Sequence, residues 1–218
     1  MSEIADNVAA VRARIGDAAR RSGRDSSAVC LVAATKTVPV EQIADAVAAG
    51  VTDVGENRAQ ELLAKVPTLA EQSPTLRWHF VGALQRNKVR ALATWVAMWQ
   101  TVDREELGIE IARRAAGARV LVEVNLGAEP QKAGCVPDDA PTLVDALRAR
   151  GLQVEGLMAI PPADDDPRPW FAALRDLAAR LELRELSMGM TDDFEAAIEE
   201  GATIVRVGRA IFGSRPTG

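Results

Sequence analysis

The chain has 218 residues, 48% of them hydrophobic, and carries a net charge of −5 with a pI of about 5.1. This acidic balance argues against a protein held to nucleic acid by a broad basic face, although it leaves room for a local basic pocket that takes one small anion. No apolar run approaches the roughly 20 residues that span a bilayer, and two scattered cysteines with a single histidine make neither a disulfide framework nor a structural zinc site.

The opening stretch, 4–21, places Ile4, Val8, Val11 and Ile15 at three- and four-residue spacings, one face of an amphipathic helix. Its first residues, MSEIADNVAAVRAR, carry acids and lack the basic and apolar regions of a secretory leader, so a reduced cytoplasmic setting is expected. After Gly23 comes the apolar run VCLVAA, short enough to be a buried strand, in which Cys30 reads as a small core residue.

Strand-like segments then fall at 29–34, 51–55, 78–82, 98–102, 119–125, 154–159, 183–187 and 203–207. Helix-like segments lie between them at 40–49, 57–65, 84–93, 104–116, 138–150, 168–181 and 192–200. Strand and helix alternating in this way predict parallel strands with crossover helices. Closed on itself, the pattern is an α/β fold, a single (β/α)8 TIM barrel with an extra N-terminal helix, in one domain over 1–218. A doubly wound open sheet is the competing architecture, and periodicity does not separate the two. The Pro-rich insertion PPADDDPRP (161–169) holds an acidic triplet, Asp164 to Asp166, which reads as a solvated loop for want of a partner ligand.

Polar residues gather at the carboxyl ends of these strands, where function sits in parallel α/β folds. The first strand runs into Thr35-Lys36-Thr37, the second into Gly55-Glu56-Asn57, and the third carries His79 ahead of Gln85-Arg86-Asn87-Lys88. The fifth ends at Glu123 and Asn125, the seventh at Ser187-Met-Gly-Met-Thr191, and the eighth at Arg206, Gly208 and Arg209. Lys36 alone could be a snorkelling lysine paired with Glu56 or Glu123. Partly desolvated, it has a lowered pKa and serves as a carbonyl nucleophile. Ser187 to Thr191 leads into a helix whose N-terminus suits an anion, although Thr191 is equally read as a plain N-cap. Gly208 admits a ligand close to the backbone, and Arg206 and Arg209 add positive charge. A nucleophilic lysine on the first strand beside a phosphate seat on the seventh and eighth describes the site of an aldehyde that carries a phosphate.

At these residues the chain resembles the pyridoxal-phosphate homeostasis proteins of the YggS/PROSC type, a family related to the N-terminal barrel of alanine racemase. The segments that carry the resemblance are LVAATKTVP (31–39), VGENRAQE (54–61), WHFVGALQRNK (78–88), GLMAIPP (156–162), LSMGMTDDFEAAIEEGAT (186–203) and VRVGRAIFG (205–213). They run in order from one end of the chain to the other. The resemblance implies pyridoxal 5′-phosphate (PLP) held as a Schiff base on Lys36, with Asn57 also at the cofactor. It further implies phosphate contacts near Ser187, Thr191, Gly208 and Arg209, and Arg206 at the pyridine nitrogen. It implies a monomer that buffers PLP and delivers it to apo PLP-dependent enzymes without robust turnover, while the charge and the apolar runs already lead us to expect no nucleic-acid or membrane partner.

Four positions depart from the family pattern. Arg58 follows GEN where tyrosine is common, Ala83 replaces a frequent proline or histidine, and Pro130-Gln-Lys132-Ala-Gly134 stands for a serine-rich segment. Arg209 occupies the place of a threonine, so a hydroxyl contact to phosphate is lost there.

Chemistry narrows the alternatives. Arginine only donates, so a ring nitrogen bonded to Arg206 is an unprotonated acceptor and a weak electron sink. In the racemases that this barrel resembles, a tyrosine from another subunit interface serves the face opposite the lysine, and this chain has no tyrosine. His79, inside WHFVG, reads as a hydrogen-bonded barrel residue rather than a general base. Trp78, Trp95, Trp99 and Trp170 read as packing residues, and Met188 and Met190 as the pocket floor. A small single-domain PLP enzyme of the amino-acid racemase type, and a PLP-free Schiff-base aldolase acting on a sugar phosphate, are the competing functions.

Overall fold

The computed structural model of the chain describes residues 2–162 and 165–213. The chain opens with α1 (Glu3–Arg21) and continues through β1 (Cys30–Ala34), α2 (Val40–Ala48), β2 (Asp53–Glu56), α3 (Ala59–Gln72), β3 (Arg77–Phe80) and α4 (Arg86–Leu92). Next come β4 (Val96–Val102), α5 (Glu105–Arg114), β5 (Arg119–Glu123), α6 (Ala140–Ala149), β6 (Gln153–Met158) and α7 (Arg168–Arg180). The described chain closes with β7 (Glu185–Ser187), α8 (Phe194–Glu199), β8 (Ile204–Val207) and α9 (Arg209–Phe212).

All eight strands are parallel and form a closed barrel in sequence order. Closure is made by β1 and β8, which pair Cys30 with Ile204, Val32 with Arg206 and Ala33 with Val207. This excludes the open doubly wound sheet. Strand alternation sorts the side chains into two sets. Val32, Met98, Leu121, Met158 and Ile204 come from five different strands and pack together inside the barrel. Ala33, Val54, Trp78, Phe80, Trp99, Val122, Leu157 and Val205 belong to the outer core beneath the helices.

The N-terminal helix is capped by Ser2, which accepts from the Ala5 N–H, and its dipole is matched by Glu3 and Asp6 at the start and Arg20 and Arg21 at the end. Its buried stripe of Val8, Val11, Ile15 and Ala18 lies against α8, α9 and α2. Among the described residues no helix is long and apolar enough to cross a membrane.

Three elements differ from the sequence reading. Helix α3 runs on to Gln72 through Pro67, because Leu62, Val66 and Leu69 form one buried face across the proline, and that burial outweighs one lost backbone bond. Helix α9 went unread, being a single turn between two glycines. Trp95, read as a packing residue, is 41% exposed, since it sits in the turn before β4 rather than within it, whereas Trp78 and Trp99 are buried.

Gly156 shows how closely the strands approach. A Cβ there would lie 1.9 Å from the Glu185 carbonyl oxygen of its partner strand. Gly156→Ala is expected to force β6 and β7 apart and lower unfolding free energy by about 1–3 kcal/mol or more, to be read from urea denaturation against the parent chain.

Candidate functional site

The turn that carries Lys36 is fastened from behind. Thr35 is buried; its N–H donates to Gly55 O and its hydroxyl to Glu56 Oε1 at 2.8 Å. Lys65, reaching down from α3, donates to Thr35 O at 2.7 Å and to Glu56 Oε1 at 2.5 Å. Glu61, also on α3, accepts the Thr37 N–H at 2.7 Å and lies 3.4 Å from Lys65 Nζ. Thr37 has a φ of 64°, a left-handed conformation that costs a threonine free energy and that these bonds hold in place. Burial pushes the Glu56 carboxyl above its ordinary range, against the bonds from Lys65 and Thr35. Lys36 itself is half-buried and lines a cavity of about 250 Å³ together with Ala34, Gln42, Gly208, Arg209 and Phe212.

Arg206 lies inside the barrel. It is 6% exposed, with Nη1 donating to Ser187 Oγ at 2.5 Å and Nη2 to Ala159 O at 3.1 Å. Burial lowers its pKa to about 10, opposed by Glu123 and Asp193, so the guanidinium is charged at neutral pH. Glu123, at the end of β5, is 8% exposed and accepts from Thr101 Oγ1 at 3.0 Å. Burial raises its pKa to about 7, reinforced by Asp103 and opposed by Thr101 and Arg206. Asn57 Oδ1 is buried without a hydrogen-bond partner, an acceptor left open at the end of β2. Asn125 holds the following loop, donating to Glu129 O at 2.9 Å and accepting from Glu129 N at 3.1 Å. In that loop Lys132 pairs with Glu129 and donates to Pro161 O.

The structure brings Lys36, Gly208 and Arg209 to one cavity, with Arg206 in the adjoining barrel interior. Gly208 stands close to β1, where a Cβ would lie 3.3 Å from Ala34 O, and it caps α9, whose first N–H groups have no acceptor within the helix. The Arg209 guanidinium is turned to Asp192 in an exposed ion pair. Thr191 is half-buried and does not cap α8; Asp193 is the N-cap residue, and its carboxylate accepts from Met190 N. The Ser187 hydroxyl is engaged with Gln100 and Arg206 inside the barrel. Met188 is buried, but Met190, read as pocket floor, is 40% exposed because the Gly189 turn (φ 91°) carries it outward. His79 is a buried barrel residue bonded through both ring nitrogens. Burial raises the Cys30 and Cys135 thiols to about 12, so neither is a reactive thiolate. Of the acidic triplet, Asp164 lies outside the described residues, and Asp166 accepts from Arg168 N ahead of α7. Among the described residues no group of acids, histidines or cysteines is arranged to hold a metal.

Residues 4–216 match the sequence model of the family described as "Alanine racemase, N-terminal domain". The Pyridoxal phosphate homeostasis protein of Pseudomonas aeruginosa is 44% identical over 228 residues, covering 100% of this chain and 98% of the relative. The chain belongs to the pyridoxal phosphate homeostasis protein family. A second member, from Aquifex aeolicus, is 42% identical over 224 residues, covering 96% of this chain and 97% of its own. Among solved structures, PipY of Synechococcus elongatus with PLP bound superposes with a TM-score of 0.84 at 34% identity, covering 97% of this chain and 100% of that one.

Within this family member, sequence reasoning missed Lys65, Asp53, Gln100 and Thr101. Lys65 was findable, since Glu61 and Lys65 are four apart on one helix face. Gln100 and Thr101 carried a weaker signal, as polar residues inside a buried strand.

Two outcomes follow from these contacts. Lys65→Met should cost about 3–5 kcal/mol, because it strands Glu56 in a buried site, and adding Glu56→Gln should return much of that loss. Chemical denaturation of the single and double variants checks this. Glu123 holds its proton to about pH 7 when folded, against an ordinary value of 4.5. Between those two values the unfolded chain has released a proton that the folded chain keeps, so this group's contribution to stability falls as pH rises, by up to about 3 kcal/mol in total. Glu123→Gln should therefore become more stable relative to the parent as pH rises from 4.5 to 7, and urea unfolding across that range measures the difference.

Proposed function

We propose that this chain binds pyridoxal 5′-phosphate at the carboxyl end of the barrel, holds it as a Schiff base on Lys36, and takes part in intracellular PLP homeostasis by buffering the cofactor and delivering it to apo-enzymes. The observation that carries the reading is the meeting of Lys36 with Gly208 and Arg209 in one cavity beside a buried, charged Arg206. The PLP-bound relative at 34% identity supports the choice of ligand.

The residues present fit that group. Lys36 supplies the amine, on a turn that Lys65, Glu56 and Glu61 keep rigid. The N–H groups of Gly208 and Arg209 at the start of α9 and the Thr191 hydroxyl would serve the phosphate, and Asn57 Oδ1 offers an unpaired acceptor. Arg206 would meet the ring nitrogen, with Ser187 acting through it. When bound, PLP supplies an aldehyde and an electron-withdrawing ring. Beside a donor-only arginine that ring would be a weak sink, which suits storage better than carbanion chemistry.

The competing racemase-type enzyme is favoured by one feature, the Glu123 carboxyl, whose pKa of about 7 suits proton transfer. Against it, the chain has no tyrosine, and both nitrogens of its only histidine are engaged with Asp53 and Gln100.

PLP-treated, desalted protein should be yellow, and borohydride reduction followed by peptide mass mapping should place the adduct on Lys36; Lys36→Ala should be colourless. An adduct scattered over surface lysines would remove the central claim. Transfer to an apo-enzyme should outrun the same amount of PLP dissociating into buffer.

A further inference from the structure

Five polar side chains inside the barrel form one hydrogen-bonded line between its two ends. Arg206 Nη1 donates to Ser187 Oγ at 2.5 Å, and Ser187 Oγ donates to Gln100 Oε1 at 2.6 Å. Gln100 Nε2 lies 2.7 Å from His79 Nδ1, and His79 Nε2 lies 3.0 Å from Asp53 Oδ1. All five residues are buried. At the far end, Arg77 grips both Asp53 oxygens at 2.7 and 2.6 Å, and Thr52 donates at 2.7 Å. Burial works against ionisation of Asp53, but the bonds from His79, Arg77 and Thr52 outweigh it and hold the carboxyl below its ordinary range.

The chemistry of the two ends fixes every link between them. A guanidinium only donates, so Ser187 accepts from it and has one proton left to give. That proton requires the amide oxygen of Gln100 to face Ser187, which turns the amide N–H toward His79. Nδ1 is then the acceptor and Nε2 carries the imidazole proton, donated to a carboxylate that can only accept. With a neutral imidazole, reversing any one link would set two donors or two acceptors face to face in a buried site, where the cost of an unmade bond is highest.

We infer that His79, Gln100 and Ser187 are positioning residues that lock the Arg206 guanidinium at the barrel mouth, anchored by the Asp53–Arg77 pair at the opposite end. The orientation of Arg206 is thus set by groups that touch no ligand. This inference takes its consequence for PLP from the function proposed above, but the line of bonds stands on its own.

His79 is the chain's only histidine, so nitrogen NMR of its ring in PLP-free protein gives a single assignable pair of signals. At pH 7.5 the proton should sit on Nε2, with Nδ1 unprotonated. Ser187→Ala, which touches neither His79 nor Asp53, should shift the Nδ1 signal and admit the second tautomer. Gln100→Glu, which offers Nδ1 an acceptor, should place a proton there. Ser187→Ala should also weaken PLP binding roughly tenfold or more, while reduction still labels Lys36. A proton on Nδ1 in the parent chain, or ring signals unmoved by Ser187→Ala, would overturn the inference. The expected tautomers in a chain that takes up no PLP would uphold the positioning line and sink the proposed function instead.

Discussion

Pairing of β1 with β8 closes the barrel and joins the two ends of the sequence, setting Val32 opposite Arg206 and Ala33 opposite Val207. Lys36, just beyond the end of β1, then shares a cavity with Gly208 and Arg209, just beyond the end of β8. Without that pairing Lys36 and Gly208 would not share a cavity. Closure also removes both unpaired edges, so every strand finds backbone partners on two sides.

Inside the barrel, Val32, Met98, Leu121, Met158 and Ile204 provide the dry packing, and polar side chains lie among them at the same levels of the strands. Buried polar groups of this kind stabilise a fold only when each is satisfied. Here the requirement is met by distributing charge: an arginine near the strand carboxyl ends, an aspartate near the amino ends, and neutral side chains relaying donors to acceptors between them. A second buried pair, Lys65 with Glu56, lies on the outer face beneath α3 and braces the turn of Lys36. The interior set orients one cation and the outer set orients the other.

This arrangement fixes the groups around both cations. Arg206 is pinned by Ser187 and Ala159, and His79 by Gln100 and Asp53, so neither is available as an acid or base. Glu123 is the exception, a carboxyl near Arg206 whose burial keeps it protonated up to about pH 7. A braced Lys36 turn and an Arg206 held from behind are the features on which the proposed PLP-holding role rests.

The sequence by itself determined the strand–helix alternation, because buried parallel strands read as short apolar runs such as VCLVAA and VLVEV, and it determined which residues stand at their carboxyl ends. The places of Lys36, Asn57, Arg206 and Gly208 at or just beyond the carboxyl ends of their strands were legible for that reason. Closure was not, since periodicity is the same in a barrel and an open sheet. Nor were the partners legible: whether Ser187 serves a ligand or Arg206, and whether Arg209 turns inward or toward Asp192, depends on contacts between residues far apart in the chain. Only the tertiary structure decided these, because a hydrogen bond is fixed by distance and direction in space, and the one-dimensional pattern records neither.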